Sequence, residues 1–238
     1  MRSRDVATMG LLLAAVAAEV GLNSAALIQT PAVTVTVDRN ETGATHAFKF
    51  PRVPSPVADD AAAKGKVTIV DGDLDGNSGA VNAVIDGLWP RDEDEPGANF
   101  FFNEQLTGGR FAIDLTRLVT ISQINSYSWH PNTRGPQVYT VYASTGADPK
   151  FNAAPRADVD PTTVGWVKIT SVDTRPATGE PGGQYGVSIS AKSGNLGAYR
   201  YLLFDCSATE MSDSWGNTFY SEIDVIAAPG PAGKSAVR

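Results

Sequence analysis

From Ala32 to Val37 the chain reads Ala-Val-Thr-Val-Thr-Val. Apolar and polar residues alternate with period two, which predicts a strand with one wetted face. Further strands are predicted at Val67–Val70, Arg110–Leu115, Val119–Tyr127, Gln137–Ser144, Gly165–Val172, Tyr185–Ser190, Tyr199–Asp205 and Phe219–Ala227. Turn-forming runs separate them, among them Pro131-Asn132, Gly146-Ala147-Asp148-Pro149 and Gly179-Glu180-Pro181-Gly182-Gly183. Past residue 65 no window longer than about ten residues repeats with the 3.6-residue period of a helix. Short strands without alternating helices predict an all-β fold, an antiparallel sandwich or barrel.

The first residues follow another pattern. Arg2 and Arg4 precede the apolar run Leu11–Ala18, and both Ala15-Val16-Ala17 and Ser24-Ala25-Ala26 offer small-residue cleavage sites. This predicts an export signal over 1–26 and a secreted, periplasmic or cell-surface product. Eight apolar residues ended by Glu19 are too few to cross about 30 Å of hydrocarbon, so no membrane insertion is expected. Pro51, Pro54 and Pro56, followed by Asp59-Asp60 and Lys64, mark a surface arm. The expected division is a strand and arm over 27–64, the main sandwich over 65–228 and a tail over 229–238.

Composition narrows the chemistry. Of 238 residues, 42% are hydrophobic and 19% charged, enough apolar material for a core. Lys and Arg number 19 against 26 Asp and Glu, a net charge of −7 that disfavours tracking a phosphate backbone, so no nucleic acid partner is expected. Cys206 is the only cysteine, and His46 and His130 are the only histidines, which excludes an internal disulfide, a Cys-based zinc cage and a three-His site. No Gly-x-x-x-x-Gly-Lys-Ser/Thr loop and no Gly-x-Ser-x-Gly elbow is present. Asp71, Asp73 and Asp75 alternate before Gly76 like half of a calcium loop, but the twelfth position is Asn82 rather than Glu. An Asp/Gly-rich turn and a different calcium loop both remain open there. The acids between 71 and 95 also leave open an enzyme, a hydrolase or lyase acting on polysaccharide.

A series of motifs then appears in order. Ala83-Val84-Ile85-Asp86-Gly87 precedes Gly109-Arg110-Phe111-Ala112-Ile113-Asp114-Leu115. Val119–Ile124, Arg134-Gly135-Pro136-Gln137-Val138-Tyr139-Thr140-Val141-Tyr142-Ala143-Ser144, Trp166-Val167, Tyr199–Phe204 and Tyr220-Ser221-Glu222-Ile223-Asp224-Val225 follow. Over residues 65–228 this resembles the discoidin domain, the coagulation factor V/VIII C-type module of the galactose-binding-like superfamily. The chain departs from that pattern where a Thr-x-Trp usually follows Asp-Gly: an acidic loop and Asn99-Phe100-Phe101-Phe102-Asn103 stand there instead. The arm lies outside the family core.

The resemblance implies a jelly-roll β-sandwich without catalytic activity that binds a carbohydrate or another cell-surface ligand as a monomer. In bacterial members a structural Ca²⁺ pins the ends of the domain, and the matching positions here are Asp86 and Glu222. Sugar-binding members use loops at one end of the sandwich. By position, Trp129 would stack on a pyranose ring, and His130, Asn132 and Arg134 would hydrogen-bond its hydroxyls. Trp215 would close the pocket from the loop before the last strand. A bracing role for Arg134 and core packing for Trp129 are the competing readings, and an adhesive protein-binding domain is the alternative without a sugar site.

Overall fold

The computed structural model describes residues 32–41, 44–104, 106–210 and 217–229. The predicted export signal, Trp215 and nearly all of the predicted tail lie outside these residues.

Among the described residues eight strands form one continuous antiparallel system. They are β1 (Val33–Asn40), β2 (Lys66–Asp71), β3 (Gly108–His130), β4 (Val138–Ser144), β5 (Val167–Asp173), β6 (Gly183–Ala191), β7 (Gly197–Ser207) and β8 (Tyr220–Ala227). Every strand predicted from alternation is present, but two predicted strands are halves of β3. The chain reverses direction without leaving β3, which starts beside the end of β7 and finishes at the same end of the sandwich. Its pairing with β7 bulges at Thr116, whose φ of 63° lies in the left-handed region, with the Thr116 amide donating to the Asp114 carboxylate.

β3 is common to two leaves. Residues 108–114 and 119–121 pair with β7, residues 110–114 also pair with β2, and β7 continues through β4 to β5. Residues 123–128 pair with β6 and β8, and β6 continues to β1. The leaves enclose a single core: Phe111, Val141 and Phe204 from one, and Ile124, Ile189, Ile223 and Val225 from the other. The fold is thus an all-β antiparallel sandwich, and β1 is one of its strands.

Two excursions cover the outer faces. The segment following β1 lays Phe48 and Val53 on Tyr127 and Trp129 of β3. It is tied down by Asp38, which accepts from the Arg52 and Val53 amides and forms an ion pair with the Arg52 guanidinium at 2.7 Å. On the other leaf the 145–166 connection packs Phe151, Val164 and Trp166 against Leu203, Tyr142 and Tyr201. The buried Arg110 clamps this connection: its guanidinium donates to the carbonyls of Pro155, Arg156 and Val159 and pairs with Asp205 at 2.9 Å.

The strand directions bring the loops 131–137 and 174–182 and the segments 208–210 and 217–219 to one end of the sandwich, because they follow β3, β5 and β7 or precede β4, β6 and β8. No described helix is long and apolar enough to cross a membrane.

Candidate functional site

β8 explains the first candidate site. Ser128 of β3 pairs with Tyr220 but Tyr127 pairs with Glu222, so Ser221 is an extra residue. Such a bulge resets the in-out alternation of a strand. Tyr220, Ile223 and Val225 enter the core, while Glu222 and Asp224 point to the outer face beneath the arm. Both carboxylates are fully buried, at 0% exposure.

The arm brings Asp60 to the same place, and one carboxylate oxygen each of Asp60, Glu222 and Asp224 lie within 4.8 Å of one another. Each acid spends one oxygen on the protein. Asp60 Oδ1 accepts from the Ala62 and Val225 amides, Asp224 Oδ2 from the Val57 amide and the Tyr127 hydroxyl, and Glu222 Oε2 from the Gly87 amide. The other oxygens, Asp60 Oδ2, Glu222 Oε1 and Asp224 Oδ1, are buried without a partner. Buried oxygens left unpaired in this way are costly unless a further ligand completes them. Burial, then repulsion from Asp224, Asp86 and Asp60, pushes the Glu222 carboxyl up to about 10. Burial and the neighbouring Asp60 push Asp224 up to about 7.

Of the two metal positions implied by the resemblance, Glu222 is in this cluster. Asp86 is exposed, and its carboxylate caps the Leu88 amide at 2.9 Å. Its charge still reaches Glu222. The turn demands glycine next: Gly87 has φ 73°, and a Cβ there would lie 2.8 Å from Ala58. Sequence reasoning missed Asp60 and Asp224. Glu222-Ile-Asp224 did carry a signal, because residues two apart on a strand share a face. Asp71, Asp73 and Asp75 do not join the cluster. Asp71 accepts from Arg156 and the Ala157 amide, and Asp75 accepts from the Asn77 amide.

The loop-end residues are placed differently from their predicted roles. β3 continues to His130, so Trp129 is a strand residue, 2% exposed, with its ring edge-on to Phe48 at 5.6 Å. It lies in a core cluster rather than on an exposed platform. His130 is 7% exposed and accepts from the Asn132 amide through Nδ1. Burial, then the Arg134 charge, holds its imidazole down at about 4, so it is neutral at physiological pH. The Arg134 guanidinium is buried against Phe219 and Phe101, at 4.1 and 4.7 Å from the ring centroids, and its Nε donates to the Asn217 carbonyl. Of these residues Asn132 alone is exposed.

This geometry favours the bracing role for Arg134. Arg134→Ala is expected to lower stability by about 4 kcal/mol, the sum of a desolvated cation–π contact and a lost charged hydrogen bond. Sugar affinity should stay unchanged in the folded fraction. Thermal melts with parallel calorimetry check this, and a stable variant with weakened sugar binding would return Arg134 to the ligand.

The exposed end offers a cleft of about 210 Å³ between the three loops, lined by Thr133, Pro136, Arg175, Pro176, Thr209 and Glu210. Arg175 is fixed in a fork by Asp173, at 2.9 and 2.6 Å, and remains half exposed. A planar donor array held in this way is suited to hydroxyl or carboxylate oxygens.

No family model matches the chain, and no curated protein matches it. Solved structures do resemble it. The carbohydrate-binding module CBM32-1 of a family 31 glycoside hydrolase from Clostridium perfringens aligns with TM-score 0.44 and 12% identity, over 71% of this chain and 98% of that one. The lectin domain of lectinolysin complexed with Lewis B antigen aligns with TM-score 0.45 and 13% identity, over 73% and 99%. A fucolectin from the serum of the striped bass Morone saxatilis aligns with TM-score 0.42 and 17% identity, over 74% and 50%. These neighbours are carbohydrate-binding modules and lectins with galactose-binding-like, discoidin-type folds.

Proposed function

We propose that this chain is a non-catalytic carbohydrate-binding module, exported from the cell, that takes a glycan at the loop end of the sandwich and is stapled by a structural calcium ion. The half-exposed Arg175 fork at the rim of the cleft between Thr133, Pro136, Pro176 and Thr209 carries the glycan reading. Its guanidinium donates to sugar oxygens while prolines 136 and 176 offer rigid apolar walls. Asn132 and Thr133 stand on the adjoining loop.

The calcium reading is supported by the three unpaired carboxylate oxygens. Ligands on opposite sides of a Ca²⁺ at about 2.4 Å are about 4.8 Å apart, and the oxygens of Asp60, Glu222 and Asp224 lie close enough together to share one ion. Hard carboxylate donors without nitrogen or sulfur suit this cation. The ion would neutralise the acids and join the arm and the Asp86-Gly87 turn to the last strand. In that role it organises the fold and takes no part in a reaction.

The test is a glycan array run in calcium and in chelator, followed by calorimetry with a sugar that it retains. Arg175→Ala should weaken binding about tenfold, the loss of one charged hydrogen bond. Its melting temperature should hardly move, since exposed ion pairs contribute little. A blank array in calcium, or full affinity in the variant, would overturn the loop-end site.

A further inference from the structure

A second cleft, with no lining residue in common with the loop-end one, lies between the arm and the segment that follows Asp86. It measures about 480 Å³ and is lined by His46, Leu88, Trp89, Arg91, Glu95 and Ala98. Apart from Gly87, the lining comes from parts of the chain outside the motifs that resemble the discoidin family. The arm precedes those motifs, and residues 88–98 fall in the acidic stretch between two of them.

Trp89 sets the character of the cleft. Trp129 and Trp166 are buried, whereas Trp89 keeps part of its ring in contact with solvent. The ring is not free to turn, because its Nε1 donates to the His46 carbonyl at 3.0 Å across the cleft floor. Its inner side packs with the Phe48 and Trp129 cluster. Leu88 beside it is 70% exposed, a large apolar side chain that nothing in the fold covers. A fixed indole next to an uncovered aliphatic group presents a flat apolar patch, the surface that the C–H face of a pyranose covers.

The polar lining complements that patch. The exposed Arg91 guanidinium makes no hydrogen bond or ion pair with the described residues, so its donors are available. Glu95 closes the 91–95 turn by accepting from the Arg91 amide at 2.7 Å, which fixes its carboxylate at the rim. His46 is exposed on the opposite wall. An aromatic floor with a few convergent donors and acceptors is the usual make-up of a small-ligand site. Asp92, Glu93, Asp94 and Glu95 surround the single Arg91 with negative charge, which repels anionic ligands.

We infer that this cleft is a second carbohydrate site, selective for a neutral hexopyranose that stacks on Trp89 and hydrogen-bonds to Arg91 and Glu95. It goes beyond the loop-end site and is independent of it. Two sugar-binding points on one module would raise avidity for a branched or repeating glycan without any new contact at either.

The experiment follows the tryptophan indole N–H signals of the full chain by NMR during titration with methyl glucopyranoside, methyl galactopyranoside and methyl mannopyranoside. Glucuronate at equal concentration is the anionic control. At least one neutral glycoside should shift the Trp89 signal, identified by its loss in Trp89→Phe, and glucuronate should not. Arg91→Ala, whose side chain supports nothing in the fold, should weaken that titration about tenfold and leave the other indole signals in place. A Trp89 signal unmoved by all three glycosides in the folded protein would overturn the second site, as would an Arg91→Ala titration equal to wild type. A glycoside that binds by calorimetry but leaves the Trp89 signal unmoved would leave the loop-end site standing and remove this one.

Discussion

In chelator, the protein is expected to lose stability steadily as pH rises from about 4 to 7, and calcium to restore it. The cause is the cluster of Asp60, Glu222 and Asp224 beneath the arm. Glu222 and Asp224 have ordinary values of 4.5 and 3.8, and burial pushes them to about 10 and about 7 in the native state, with repulsion from Asp224 adding to it at Glu222 and from Asp60 at Asp224. Below the ordinary values both groups are protonated whether the chain is folded or not, and no penalty exists. Above them the unfolded chain ionises while the native cluster must keep its protons. Each raised group then costs roughly 1.4 kcal/mol per pH unit. The Asp224 contribution levels off above about 7, and that of Glu222 continues toward about 10.

Calcium inverts this penalty, since the native carboxylates then ionise onto the ion. At a hundred times its dissociation constant a ligand adds about 2.7 kcal/mol, which is about 5–10 °C in melting temperature at this chain length. Glu222→Gln and Asp224→Asn separate charge from shape. In chelator at pH 7 each should melt above the wild type, because a buried carboxylate has been replaced by a neutral isostere. In calcium each should lack the increment. Calorimetric melts between pH 5 and 8, with and without calcium, decide the matter. Superimposable wild-type curves in the two conditions, or a chelated protein with no pH dependence, would refute the cation.

The second large effect is predicted for Trp129→Ala. The side chain is fully enclosed by Phe48, Val53 and Tyr127, and removing so large a core residue costs about 3–5 kcal/mol. For a chain of this size that is a fall of about 10 °C or more. Below its transition the variant should bind an array-selected sugar as the wild type does. Trp129→Phe should be much milder, because the indole Nε1 is buried without a partner and its loss removes a liability along with some volume. A folded Trp129→Ala protein that melts normally but loses sugar binding would show that the ring is presented to ligand after all.

The contrast between these two sites shows what a sequence exposes. Strand positions were readable because the two-residue period is a local property, and nearly every strand fell where alternation placed it. The continuity of β3 was not readable: exposed Thr116-Arg117-Leu118 looks like a turn, and only the pairing with β7 on both sides of it shows a bulge within one strand. Glu222 was legible through its motif. Asp60 was not, because it lies in a proline-rich stretch whose path over β8 is set by contacts with residues more than 150 positions away. Trp129 was misplaced for the same physical reason. Its face of β3 would be open to solvent were it not for Phe48 and Val53, and no periodicity in the strand announces a cover supplied from elsewhere. Trp89 and Arg175 were passed over because each stands in a stretch that reads as an ordinary polar loop.

The bent strand β3 has a mechanical consequence. Most two-leaved structures have a seam along which the leaves can part, held by side chains alone. Here the seam is crossed by the backbone itself, where β3 passes from its β7 partner to β6 between Ile121 and Gln123. A tug on the arm or on β8 therefore passes through covalent bonds into the leaf that carries Arg110 and the opposite covering loop. The molecule has no page that can be turned without bending its spine, so an anchored ligand at the loop end would load both leaves together.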